Sequence, residues 1–77
     1  MVSLSIGVKM TEIEKEIRQH YSEMQVPSLS YEYAPGKFAA ISQYGYWMES
    51  GFENKESAED WVIDFYSKNI QYIRQGN

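Results

Sequence analysis

The chain has no cysteine, which excludes a disulfide framework and any thiolate metal site. It also lacks an apolar run near the roughly 20 residues that a membrane span needs. Its start shows no basic stretch leading into uninterrupted apolar residues, the pattern of a secretion signal. Together these absences lead to the expectation of a cytoplasmic protein that does not enter membranes. Histidine is limited to His20, which leaves no His pair for a metal and a single imidazole for acid-base chemistry. No serine has a nucleophile motif around it. Gly45 and Gly51 stand alone with no Lys-Ser or Lys-Thr pair after them, so no phosphate-cradling loop is present. The expectation is therefore a protein without catalytic residues, cofactor or bound metal. Asp60 and Asp64 share a helix face at i and i+4, but two exposed carboxylates without a third oxygen ligand make a poor cation site, and Lys68 stands one turn on as their ion-pair partner.

Positive charge is scarce as well: 7 Lys and Arg face 11 Asp and Glu, for a net charge of −4. The imbalance is local. Between Glu49 and Asp64, the acids Glu49, Glu53, Glu56, Glu59, Asp60 and Asp64 oppose only Lys55, a net −5, while the remainder nets +1. Carboxylates in a first helical turn meet the positive end of the helix dipole, which explains Glu56 and in part Glu59 and Asp60. Glu49, Glu53 and Asp64 fall outside that account, so the segment reads either as a solvated face or as an acidic binding patch.

What is abundant is aromatic surface: 7 Tyr, 3 Phe and 2 Trp in 77 residues. A chain this short forms one domain, 1–77, that buries only about 60% of its unfolded surface, so association would help it fold. Val2, Leu4, Ile6, Val8 and Met10 alternate with polar residues or glycine, the period-2 pattern of a strand. Residues 1–10 are thus expected to be an N-terminal strand, or an extension if Met10 is the true start. Thr11, with Glu14 three residues on, has the form of a capping box. It opens a first helix whose apolar residues Ile13, Ile17, Tyr21 and Met24 form one narrow stripe, closed by Pro27. Leu29, Tyr31 and Tyr33 then alternate into Ala34-Pro35-Gly36-Lys37, a type II turn signature. A return strand runs to about Gln43, and Tyr44-Gly45 permits a second bend before Tyr46 to Phe52. In regular alternation Tyr31 and Tyr33 share a face, as do Tyr44 and Tyr46, with Trp47 pointing the opposite way.

Asn54 caps the last helix. At about 100° per residue, Ala58, Trp61, Val62, Phe65, Asn69 and Tyr72 form one stripe and Ile63, Tyr66, Ile70 and Ile73 a second. The two cover roughly 200°, wider than the single stripe of somewhat over about 100° usual for a helix on a core. One stripe packs on the sheet, and the other needs the first helix or a second subunit. Residues 75–77 read as a frayed tail. The fold class is α+β: a small two-layer sandwich with an antiparallel sheet of three to four strands and two helices on one face, in the order β-α-β-β-(β)-α.

The run Gly51-Phe52-Glu53-Asn54-Lys55-Glu56-Ser57-Ala58-Glu59-Asp60-Trp61 resembles the closing strand-to-helix unit of many small α+β domains, including the double-stranded-RNA-binding fold. It lacks the lysines with which that family's last helix grips phosphate, and no family is assigned. Three readings of the aromatics compete: core and cross-strand pairs, a protein interface anchored by Tyr and Trp, and a stacking platform for single-stranded nucleic acid. The acidic balance favours the protein interface over the nucleic-acid platform. The expected function is a non-enzymatic protein-binding module. In its sharper form, Tyr46, Trp47, Glu49, Phe52, Glu53, Glu56, Glu59, Asp60 and Asp64 occupy a basic cleft of a nucleic-acid-processing protein, similar in kind to the small acidic inhibitors of bacteriophages. Ile63, Tyr66, Ile70 and Ile73 would serve self-association as a homodimer.

Overall fold

A computed structural model describes the backbone of residues 2–74 and the side chains of residues 12–74. The chain forms α1 (Val2–Glu23), β1 (Ser30–Ala34), β2 (Lys37–Ile41), β3 (Trp47–Phe52), α2 (Lys55–Lys68) and α3 (Gln71–Arg74). The three strands make one antiparallel sheet in the order β1-β2-β3. The α+β class and the antiparallel sheet agree with the sequence reading, but the N-terminal strand does not exist. Val2 to Met10 are helical backbone and run straight into the rest of α1, so Thr11 lies inside the helix and not at its start. No proline or turn signal interrupts this segment. A helix once nucleated gains one hydrogen bond per added residue, whereas an isolated strand gains none without a neighbour. Glu14, freed from capping, pairs with Arg18 at 2.8 Å. The expected frayed tail, residues 75–77, lies outside the described residues.

α1 ends in a Schellman motif: Val26 N–H donates to the Tyr21 carbonyl at 2.9 Å and Gln25 N–H to the Ser22 carbonyl at 3.0 Å. Its left-handed residue is Gln25, at φ 64°, where glycine is usual. Termination therefore happens before Pro27 takes effect. Val26 and Tyr21 both join the buried core, the apolar contact that accompanies this cap.

The Pro35-Gly36 turn forms as its residues demand, with Gly36 at φ 72° in the left-handed position that a type II turn requires. Beyond it β2 is the central strand. Tyr31 lies across from Ala39 and Ile41 across from Trp47, on one side. Ser30 lies across from Ala40 and Phe38 across from Phe52 on the other. α2 crosses that second side and touches all three strands. Ala40 and Ala58 are fully buried and, having only methyl groups, let helix and sheet approach closely.

α2 starts as expected, with Asn54 Oδ1 accepting from Ser57 N–H at 2.8 Å. It stops at Lys68, earlier than the apolar periodicity suggested. Asn69 leaves helical geometry at φ −131°, ψ 48°, and its side-chain amide donates to the Phe65 carbonyl at 2.8 Å. An Asn side chain competing for backbone carbonyls ends helices in this way, and α3 resumes in a new direction. The helical wheel therefore misplaces Ile70, Tyr72 and Ile73. The buried line of α2 is Ala58, Val62 and Tyr66, spaced i, i+4, i+8 along the seam between the two expected stripes. Trp61 and Phe65 flank it on one shoulder and Ile63 on the other, all half-buried. Ile17 and Tyr21 of α1 close the core, and the Tyr21 ring meets Tyr66 edge-on at 6.2 Å.

Arg74 ties α3 back to α1 through a two-pronged pair with Glu16, at 2.7 and 3.1 Å. The Arg74 hydrogen bond holds the Glu16 carboxyl below its ordinary value of 4.5.

Two outcomes follow from these geometries. Gln25→Gly should raise the free energy of unfolding by about 0.5–1 kcal/mol by relieving the left-handed side chain, read as a higher urea midpoint at unchanged slope. Because its folded pKa is lowered, Glu16 stabilises the fold above pH 4.5, and that contribution disappears as pH falls through the folded value. Melting points of the native chain and Glu16→Gln at low salt should differ at neutral pH and converge in acid.

Candidate functional site

The side of the sheet facing away from α2 carries the aromatics. Tyr31 and Tyr33 come from β1 and Trp47 from β3; Trp47 lies 6.3 Å from Tyr31 and 4.9 Å from Tyr33, ring centre to ring centre, at tilts of 47° and 41°. Trp47 thus shares a face with the two tyrosines of β1. The physical reason is the hairpin. β2 ends at Ile41, and Ser42 to Tyr46 form a closed loop in which Ser42 N–H donates to the Tyr46 carbonyl at 2.7 Å. The Ser42 hydroxyl accepts from the N–H groups of Tyr44 and Tyr46, at 3.1 and 3.2 Å. Gly45 takes φ 92°, so the alternation assumed through this segment restarts at Trp47. Exposure is 56% at Tyr31, 36% at Tyr33, 64% at Tyr44, 72% at Tyr46 and 54% at Trp47. Ala39, opposite Tyr31, is nonetheless fully buried, so this face is ordered by packing on a central strand.

One residue of the loop points inward and fixes it. Gln43 is buried; its amide donates to the Tyr72 carbonyl at 3.4 Å, its carbonyl oxygen accepts from His20 Nε2 at 2.5 Å, and its backbone N–H donates to the Tyr66 hydroxyl at 3.1 Å. The Tyr21 hydroxyl donates to the Ile41 carbonyl. Burial, and then the neighbouring Tyr66, push the Tyr21 phenol far above its ordinary range, so it remains a donor throughout the physiological range. α1, α2 and α3 therefore all hold the hairpin that displays Tyr44, Tyr46 and Trp47. His20 serves this network as a half-buried hydrogen-bonding residue.

The expected acidic patch separates into unlike parts. Glu49, Glu53, Glu56 and Asp60 are exposed, and none makes an ion pair with another described residue. Asp64 is paired with Lys68 at 3.2 Å. Glu59 is not a surface residue at all: it is buried, takes Arg18 Nη2 at 3.0 Å and accepts from the Ser30 hydroxyl at 3.3 Å, with Lys55 Nζ at 3.9 Å. It joins α1, β1 and α2. Burial pulls the Arg18 guanidinium down, but its hydrogen bonds to Glu59 and Glu14 outweigh this and hold it above its ordinary value. Phe52 is half-buried against Trp61 at 6.4 Å and belongs to the α2 side, away from Trp47.

The expected self-association stripe divides too. Tyr66 and Ile73 are buried within the chain's own core, at 3% and 6% exposure, while Ile63 and Ile70 remain half-exposed. α1 covers most of what the wide apolar surface of α2 left open. Among the described residues no group of three or more His, Asp or Glu comes together to hold a metal, and no helix is long and apolar enough to cross a membrane.

Sequence reasoning missed Gln43 and took Glu59 for a surface contact, because a lone Gln in a loop and a Glu near the start of a helix look solvated. Nothing in the letters marks their distant partners. Compared with known proteins, the chain matches no family model, no curated protein and no solved structure.

Charge reversal separates the two kinds of acid. Glu59→Lys should cost about 1–3 kcal/mol by leaving Arg18 and the Ser30 hydroxyl without their acceptor. Glu53→Lys, Glu56→Lys and Asp60→Lys should each stay within about 0.5 kcal/mol, by urea unfolding.

Proposed function

We propose that this chain is a non-enzymatic protein-binding module, and that the open aromatic face of its sheet is the contact surface. The observation that carries this reading is the set of five exposed aromatics, Tyr31 and Tyr33 on β1, Trp47 on β3, and Tyr44 and Tyr46 in the β2–β3 loop that buried groups hold in place. Tyr and Trp bring large contact area with few rotatable bonds and dominate binding hot spots. Carboxylates at Glu49 and Glu53, without an ion pair to another described residue, follow Trp47 in the chain, and Glu56 and Asp60 continue onto α2. Such a margin steers a basic partner and speeds its arrival. This keeps the acidic reading in a reduced form, with Glu59 and Asp64 removed from the contact surface and the aromatics promoted to its centre. A basic cleft on a nucleic-acid-processing protein remains one partner of the right charge, met in the cytoplasm.

Stacking of single-stranded nucleic acid is disfavoured by charge. From β1 to the end of β3 and the residue after it, Lys37 is the sole base against Glu32, Glu49 and Glu53, whereas phosphate binding needs a basic groove. A homodimer finds reduced support, since Tyr66 and Ile73 are already covered.

A partner recovered by affinity capture and then purified provides the test by surface plasmon resonance. Trp47→Ala should weaken binding by at least about tenfold, as expected for an anchor at a hot spot. Glu53→Lys with Asp60→Lys should slow association several-fold at low salt and leave dissociation nearly unchanged. Equal affinity for the native chain and Trp47→Ala would overturn the assignment of the surface.

A further inference from the structure

Beside the aromatic pair runs a cleft of about 340 Å³ that reaches from the α1–β1 connection to the β2–β3 loop, lined by Val26, Pro27, Tyr31, Ile41, Gly45 and Trp47. Its floor is Ile41 at 7% exposure, and Tyr31 and Trp47 stand beside it half-exposed. We infer that this cleft and the aromatic face take a proline-rich, basic-flanked peptide segment in the polyproline II conformation. The inference rests on the protein-binding reading and names its partner class.

Three features select that occupant. The first is area. With about 200 Å² per aromatic side chain, the exposures of the five residues amount to roughly 560 Å². That is short of the roughly 800 Å² per partner that a stable interface between folded proteins buries, so a second copy of this chain is too large an occupant for the patch and a short segment suits it. The second is hydrogen-bond polarity. The Trp47 indole N–H and the Tyr31 hydroxyl make no hydrogen bond to another described residue, and the Tyr33 hydroxyl accepts from Gly51 N–H at 3.0 Å, keeping its own proton to donate. The face therefore offers donors. A proline-rich strand has few N–H groups and presents carbonyl acceptors that no internal hydrogen bond uses, so the two inventories match. Tilted aromatic rings with an apolar trough between them are also the surface on which such segments dock without paying much ordering entropy. The third is charge: Glu32, Glu49 and Glu53 against Lys37 complement Arg or Lys at the ends of the peptide.

The test uses the full chain and an immobilised library of peptides roughly ten residues long, each with two prolines three apart and basic ends. Binding is followed in solution by Trp fluorescence and by two-dimensional NMR of the Tyr31, Tyr33 and Trp47 amides. The inference expects saturable binding that moves those three signals, a loss of at least about tenfold when the peptide prolines become alanine, and a similar loss for Trp47→Ala. Trp47→Phe, which keeps an aromatic ring of smaller area and removes the N–H donor, should retain the fold and still lose affinity several-fold. If library peptides bind equally well or better with alanine in place of proline, strand addition at the β1 or β3 edge is the mode; the proline inference fails and the protein-binding reading stands. If the library fails and a concentration-dependent dimer perturbs the same three signals, the face is filled by a second copy, which overturns the inference alone. If oligothymidylate perturbs them and no peptide does, both the inference and the protein-binding reading fall. Absence of binding by every member of the library overturns the inference.

Discussion

A chain of this size can build one apolar layer, and that constraint shapes everything else in the molecule. Its thickness is set where α2 lies on the central strand: Ala58, Val62 and Tyr66 on the helix meet a strand whose middle is Ala39-Ala40, and all five are buried. Methyl groups on both sides bring helix and sheet close, and the larger side chains fill in around them. With α1 packed against α2, no third layer remains for the far side of the sheet. Ordinary alternation would make that side polar. Here it carries Tyr31, Tyr33 and Trp47, packed on one another and half open to water, so the apolar content exceeds what one layer can enclose.

Polar groups inside the layer do a different job from apolar ones. Burial draws the elements together without direction, whereas the bonds of Gln43 and Glu59 select one arrangement. Gln43 connects the hairpin loop to α1, α2 and α3, and Glu59 connects α1, β1 and α2. No buried side-chain polar atom among the described residues lacks a partner. Such satisfied networks are costly to break in part, which gives the loop bearing Tyr44 and Tyr46 a defined position despite its exposure. A preorganised aromatic surface loses less entropy on binding than a mobile one. The same bonds that complete the core therefore also fix the loop beside the aromatic face, as the proposed binding role requires.

Acidic charge acts at longer range. Four carboxylates with no ion pair among the described residues, Glu49, Glu53, Glu56 and Asp60, lie on one continuous stretch of chain that begins at the edge of the aromatic face. In the proposed reading this negative field disfavours nucleic acid and attracts cationic segments. Neutralised acids at Glu59 and Asp64 add nothing to this field, so the effective patch is smaller than its letters suggest and shifted toward β3.

Local rules account for what could be read in the letters. Asn54 capped its helix, Pro35-Gly36 made its turn, and the paired tyrosines of β1 took one face, because each depends on neighbours a few residues away. The α+β class followed from the same short-range patterns. Non-local competition decided the rest. The alternating Val2–Met10 segment became helix because α1 could propagate through it, Asn69 broke α2 by taking the Phe65 carbonyl, and the Ser42 loop turned Trp47 toward Tyr31 and Tyr33. Gln43 and Glu59 found partners between 23 and 41 residues away, beyond any helical or strand period, as Arg18 to Glu59 shows at a separation of 41. Composition alone determined that this chain would be acidic, aromatic-rich and unable to hide all its apolar surface. Only the tertiary structure decided which surface stays open, because that depends on which elements share the single layer.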